Sequence, residues 1–513
     1  MISWCNRGNG RCFILLFVAI FVIATYEIAG ATQPLPTILW YVTLDGGDFG
    51  SVAVGPDGNP VVAGQSGGSF HTVKRDGNTG ALLWSALFPN GINLGAPSVA
   101  IGPDGNPVVT GTTGGGDAGP QDFLTIKYNG TTGEILWTAT FDALDVDRAM
   151  GVAIGPDGHP VVTGISCGPS FNSPSCDFRT IKYDGSSGTI LWNVTYDSGG
   201  QDFARGVTVA SDGDVFVVGA SNFVDVVTIK YDGGGNGTLI WTATYNNTTF
   251  GTGEEQGWGI AVGLDGNPVV TGNSRVGSNQ NVRTVKLDGS TGAILWNTVF
   301  DSGAGEEAKG VAVGLDGNPV VTGSVNPTGG VDADNFLTIK HHGSTGAILW
   351  NVTFDTGRKD VASGVAVGPD GNPVVTGTTR QSAFSGFDFL TIKYLQQLTV
   401  SIDIKPGSDS NSINLSSAGV IPVAILGSAT FDATQVDPAT VTLAGASVKL
   451  IGKGTKYSCS TEDVNADGFV DLVCHVVTAQ FMVEPGASVA LLEAQTFGGQ
   501  AIRGEDSINV VPD

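Results

Sequence analysis

Between Ile38 and Tyr394 the chain alternates apolar runs of about five residues with tight polar breaks rich in Gly, Asp, Asn and Pro. The runs come in sets of four. A full set reads roughly GVAVGPDGNPVVTG, a variable stretch, then DFLTIKYDGSTGAILWNVTFD. Runs of this length predict β-strands, which we letter A to D within each set. In one copy they are expected at Gly206 to Ala210, Val215 to Gly219, Val226 to Tyr231 and Leu239 to Tyr245. The Asp-Gly of the A-to-B link supplies the positive φ of a tight hairpin, and the Pro behind it suits the first residue of a strand. The C-to-D link, DGSTGA, turns in the same manner.

The Trp of strand D falls at Trp40, Trp84, Trp137, Trp192, Trp241, Trp296 and Trp350, a period of about 50 residues that marks a repeat architecture. The first of these strands precedes every other part of the repeat. The last strand C, ending at Tyr394, has no strand D behind it. One strand is spare at the start and one is missing at the end. The pattern predicts an all-β, seven-bladed β-propeller closed by an N-terminal outer strand, with Ile38 to Leu44 completing the blade held in Gly364 to Tyr394.

A blade is covered by its neighbours on both faces, so large apolar residues should occupy alternate positions. Ile135, Trp137, Ala139 and Phe141 are expected on one face, with the Trp packing blade against blade. Strand C carries Lys74, Lys127, Lys182, Lys230, Lys286, Lys340 and Lys393 at equivalent positions, which suggests pairing with equally repeated acids. Of the five histidines, His159, His341 and His342 take turn or strand positions of the repeat, and none has a metal-ligand spacing such as HExxH.

These units resemble the bacterial β-propeller repeats called SBBP, and the likeness covers Ile38 to Tyr394. The resemblance implies a fold and little chemistry. DGSTGAILW is also similar to the tryptophan-docking segment of quinoprotein propellers. Those enzymes typically have eight blades and often a vicinal cysteine pair, neither of which this chain shows.

The repeat leaves a tail, giving expected boundaries of 1–31 for a signal peptide, 32–397 for the propeller and 398–513 for a C-terminal domain. Arg7 and Arg11 precede an apolar run from Phe13 to Ala24, and Ala29-Gly30-Ala31 follows, the layout of a secretory signal cleaved near Ala31. The run is short of the roughly 20 residues a spanning helix requires. No later stretch is apolar enough to span a membrane. Without the segment the chain has 22 basic and 47 acidic residues, which disfavours nucleic acid and anionic membranes as partners. Four cysteines then remain in two close pairs, Cys167 with Cys176 and Cys459 with Cys474. In an exported chain they read as local disulfides, although three pairings are formally possible.

A-to-B and C-to-D turns share one face of a propeller and hardly vary here; the other face carries the variable links. Its B-to-C loops are Gly111 to Asp122, the cysteine-bearing Gly164 to Asp177, Gly272 to Val282 with Arg275, and the acidic Gly323 to Asn335. Just before the first Gly of strand A stand Met150, Arg205, Trp258, Lys309 and Ser363. Arg205, Trp258 and Lys309 are the candidate ligand-binding residues, for a polar or anionic ligand or a carbohydrate. In the D-to-A links an acid recurs at Asp147, Asp202, Glu306 and Asp360, able to ring a cation or, more simply, to accept backbone N–H bonds.

The tail alternates apolar runs with Gly, Pro and Asp breaks, which suggests a β-sandwich-like domain, and it resembles a module at the ends of exported bacterial proteins. It holds Asp463-Val-Asn465-Ala-Asp467-Gly468-Phe469-Val-Asp471. Side-chain oxygens at positions 1, 3, 5 and 9, the Phe469 carbonyl at 7 and Gly at 6 suit Ca²⁺. Cys474 stands where an EF-hand has its bidentate Glu, so the loop resembles the strand-flanked loops of integrin-type and dockerin-like proteins, with an affinity of roughly 10⁻⁴ to 10⁻³ M. The expectation is a secreted or periplasmic, monomeric, non-catalytic protein that binds an extracellular protein or carbohydrate and is stabilised by Ca²⁺. The alternative is a propeller enzyme, a quinoprotein-like dehydrogenase or a polysaccharide lyase or hydrolase, with its site at the channel mouth.

Overall fold

Extended strands must find partners for their backbone N–H and C=O groups, and each set supplies them locally: A, B, C and D pair antiparallel in chain order. The computed structural model describes residues 35–89, 97–114, 121–143, 146–168, 176–222, 225–245, 256–276, 279–330, 333–380, 386–408, 410–428, 431–454, 456–483 and 488–511. The expected signal segment, Met1 to Ala31, lies outside them, as do parts of the variable loops at 115–120, 169–175 and 381–385. Among the described residues, those from 37 to 395 form five four-stranded sheets and one eight-stranded sheet. The eight-stranded sheet is two sets joined by one parallel bridge, Val146 to Gln121. No helix of the described residues is long and apolar enough to cross a membrane.

Thr37–Leu44 takes the outer place in the sheet formed by Asp360–Val367, Pro373–Arg380 and Phe387–Leu395, with Trp40 opposite Lys393 and Val42 opposite Thr391. Neighbouring A strands lie side by side. A Cβ on Gly151 would stand 3.1 Å from the Arg205 carbonyl oxygen, and one on Gly364 would stand 3.1 Å from Ser51 Cα, so the last set meets the first.

Strand A is longer than its apolar run suggests. In the copy quoted above it spans Asp202–Val209 rather than beginning at Gly206, because a β-bulge at Arg205 lets pairing resume beyond it. Met150, Trp258, Lys309 and Ser363 are the extra residues of equivalent bulges. The Gly of VVTG makes room for them: a Cβ on Gly164 would lie 2.0 Å from the Arg148 carbonyl oxygen, and one on Gly219 would lie 2.0 Å from that of Phe203.

Strand D also departs from simple alternation. Ile135 does not share a face with Trp137, because the register slips between them: Tyr128 faces Ile135 while Lys127 faces Trp137. Ile135 and Leu136 are exposed and Trp137 is buried. The Trp137 ring covers Gly188 of the following set, whose φ of +74° and nearest ring atom at 2.8 Å from a notional Cβ both require glycine. Its Nε1–H donates to the Gly185 carbonyl at 3.1 Å. Trp40, Trp84, Trp241 and Trp296 donate to the matching carbonyls, so this residue packs set against set.

The Gly272 to Val282 stretch is no open loop. Its described residues lie in two antiparallel strands, Pro268–Val276 and Asn279–Leu287, with Arg275 exposed opposite Gln280. Beyond residue 398, a five-stranded and a four-stranded sheet share one apolar core that includes Ile404, Val423, Leu443, Leu492 and Ile502. Gln500 ties this tail to the repeat by donating to the Gln396 carbonyl at 2.9 Å, while the Gln396 N–H donates to Asn372 Oδ1 at 2.8 Å. The sulfurs of Cys167 and Cys176, and of Cys459 and Cys474, lie at bonding distance, each pair directly opposite across two strands.

Candidate functional site

The bulge decides where the variable residue of strand A points. An extra residue leaves the ladder and is re-aimed, and here each one lines a central cavity of about 480 Å³. Around its rim, Arg205, Trp258 and Lys309 come from three consecutive sets, while Ser363, Gly50, Pro97 and Met150 complete the circuit. A tier of small residues follows, Ser51, Ser98 and Gly151 among them, and then a tier of Val and Ile side chains. The two serines are engaged: Ser51 donates to the Pro97 carbonyl at 2.9 Å and Ser98 accepts the Val152 N–H at 3.2 Å.

Arg205, Trp258 and Lys309 are brought together. The Arg205 guanidinium carbon sits 3.7 Å from the Trp258 ring centroid and the Lys309 ammonium 3.8 Å from it, one cation from each neighbouring set. Arg205 Nη2 donates to Gln256 Oε1 at 3.1 Å, and burial pushes the guanidinium pKa down to about 10. Among the described residues Arg205 has no carboxylate partner. Lys309 meets the half-exposed Glu307 at 3.1 Å. Arg205 Nε and Trp258 Nε1 are buried without a hydrogen-bond partner among the described residues. Both faces of the indole are therefore taken by cations, so a ligand would meet this patch through the two cations rather than by stacking on the ring.

Sequence reasoning missed Gly50 and Pro97 in this circuit, as well as Gln256 and Glu307 around it. The signal was present in the Gly of VVTG, since an isolated glycine in a strand marks a bulge.

The other candidates have structural partners. Each strand-C lysine is almost buried and meets an Asp of its own A-to-B turn at 2.5 to 2.7 Å; in one set Asp214 takes over from the usual turn position. Lys74, Lys127, Lys182, Lys286 and Lys393 also donate to a glycine carbonyl of the following set. His159 Nδ1 accepts the Gly185 N–H at 2.9 Å, as Asn59 accepts that of Gly77. His341 stacks on Trp296, and burial pushes its pKa down to about 4.

Asp147, Asp202, Glu306 and Asp360 are buried, and each accepts the N–H of the residue four positions earlier. Burial pushes Asp360 up to about 6. Asp122 and Asp142 stand with Asp147, and Asp177 and Asp197 with Asp202, their oxygens within 4.8 Å of one another.

In the tail, Asp463, Asn465, Asp467 and Phe469 are exposed around a turn with Ala466 at φ +59° and Gly468 at φ +90°. Asp463 accepts the N–H groups of Asp467 and Gly468, and Asp467 accepts that of Phe469. Asp471 is buried and turned inward, accepting the Gly427 N–H at 2.7 Å and the Val464 N–H at 2.8 Å. Three side chains thus offer oxygens outward while the fourth holds the ends of the loop.

No family model matches this chain, and no curated protein matches it. Solved structures similar to it include the Dos1 propeller, at 11% identity and a TM-score of 0.41 over 70% of this chain and 94% of that one. Another is a luciferin-regenerating enzyme, at 11% identity and a TM-score of 0.35 over 58% of this chain and 90% of that one. The fold is all-β, and the Dos1 neighbour is a propeller.

Proposed function

We propose that the chain is an exported binding protein: a seven-bladed propeller, closed where Thr37–Leu44 joins Phe387–Leu395, that meets a protein or glycan on its variable loop face. Arg205, Trp258 and Lys309 at the channel mouth form the centre of that site. The reading rests on one observation, the gathering of two cations around one indole at bulge positions of three consecutive sets. The described side chains of the cavity wall are two cations, an indole, serines and apolar groups, a set that can hold a ligand.

The tail is the second part of the proposal, a β-sandwich-like module stabilised by Ca²⁺ at Asp463, Asn465, Asp467 and the Phe469 carbonyl, with Asp471 holding the loop closed. Hard oxygen donors on a turn whose ends are stapled by Cys459 and Cys474 suit that ion. One array screen of glycans and exported proteins, run with Ca²⁺ and with EDTA, tests both parts. Trp258→Ala should weaken the hits at least tenfold, the scale expected of a buried aromatic at the centre of an interface. EDTA should lower the melting temperature of the tail. Hits indifferent to Trp258→Ala overturn the channel-mouth site, and a tail indifferent to Ca²⁺ and EDTA removes the metal.

A further inference from the structure

The channel-mouth reading leaves open what enters the cavity itself, and the geometry points to a small organic monocarboxylate with an apolar body. We infer this from the unequal halves of the rim, an inference that rests on the channel being a binding site at all. On one side stand Arg205 and Lys309; on the other stand Gly50, Pro97 and Met150, above a tier of valines. In a chain of net charge −24, two cations side by side at the mouth of a cavity are out of keeping with the average surface. Among the described residues only one of them is matched by an acid. Glu307 pairs with Lys309, whereas Arg205 has only the neutral Gln256 and the Trp258 face among the described residues. A half-buried guanidinium with no carboxylate among the described residues is incompletely satisfied, and one carboxylate would supply both charge balance and hydrogen bonding.

The remaining donors agree. Arg205 lines the cavity with Nη2 on Gln256 and Nε unpartnered among the described residues, and the Lys309 ammonium stands across the indole. The polar side chains that line the cavity on the cationic side, Arg205, Trp258 and Lys309, are all donors, so a carboxylate finds more partners there than an amine does. The opposite wall offers no charge, and the serines of the next tier already serve neighbouring strands. The body of the ligand must therefore be apolar. A volume of about 480 Å³, ringed by backbone on all sides, suits a small molecule rather than an inserted loop.

Hexanoate and its neutral isostere hexanamide are the probes, titrated calorimetrically into the full-length protein at fixed ionic strength. Hexanoate should bind at least tenfold more tightly than hexanamide, and Arg205→Gln should abolish the difference. Lys309→Gln should reduce it less, because Glu307 already offsets that charge. The hexanoate-to-hexanamide ratio in the unaltered protein decides the matter even if a variant fails to fold. Equal binding of both probes, lost when Met150→Trp fills the cavity, overturns the carboxylate inference while leaving the channel as a site. Binding of neither overturns the inference, and the array screen then judges the loop-face reading separately.

Discussion

Asp360 shows how one residue can serve the fold and still burden it. Its carboxylate accepts the Thr356 N–H at 2.8 Å and the Thr356 hydroxyl at 2.9 Å, yet burial raises its pKa to about 6. A carboxyl whose folded pKa lies above its unfolded value binds more protons in the folded state. Its contribution to stability is complete below the unfolded pKa of about 3.9 and is lost as pH rises through about 6. Asp360→Asn keeps both acceptor bonds and removes the charge. Its melting temperature, relative to the unaltered protein, should therefore rise between pH 5 and pH 8, and a difference independent of pH would contradict this. At the same scale, the sequence displayed Arg205, Trp258 and Lys309 as a set because one slot of the repeat varies while its neighbours do not. It could not display that the two cations occupy both faces of the indole, since that contact spans three sets and depends on a bulge.

Among the elements, the strand count and order were legible because the hydrophobic period and the Asp-Gly turns agree. The bulges were not, because an extra residue looks like ordinary sequence until its partner strand is known. Among the described residues six strands A and all seven strands D carry such shifts: in strand A the shift builds the channel rim, and in strand D it leaves a pair such as Ile135 and Leu136 exposed on an irregular outer edge. An irregular edge pairs poorly with another chain. The Trp contact between sets should be the most sensitive point of this scheme. Gly346 has φ +73° and would place a Cβ 2.6 Å from the Trp296 ring, whereas Gly303 has φ +85° and nothing within 4 Å. Both substitutions to Ala carry the backbone penalty of positive φ. Gly346→Ala adds overpacking of about 1–3 kcal/mol, so denaturant midpoints should fall clearly further for Gly346→Ala than for Gly303→Ala. Equal losses would mean that the Trp docking contributes little.

For the whole molecule, the spare first strand and the missing last one announced a long-range pairing before any coordinates, and Thr37–Leu44 does lie beside Phe387–Leu395. The attachment of the tail was not legible. Gln500 and Gln396 meet only because the chain leaves the last strand C where other sets turn into strand D, so the Gln396 N–H takes the Asn bond that a turn glycine makes elsewhere. The pairing of the two ends carries the proposed ring, since the channel rim exists only if the first and last sets are neighbours. Val42 and Thr391 are directly opposite in that pairing. The Val42→Cys/Thr391→Cys double variant should therefore oxidise to a single new intrachain disulfide in a monomer, and it should melt at a higher temperature than its reduced form. Thiols that stay free, or that bond only between molecules, would contradict the closure and the site built on it.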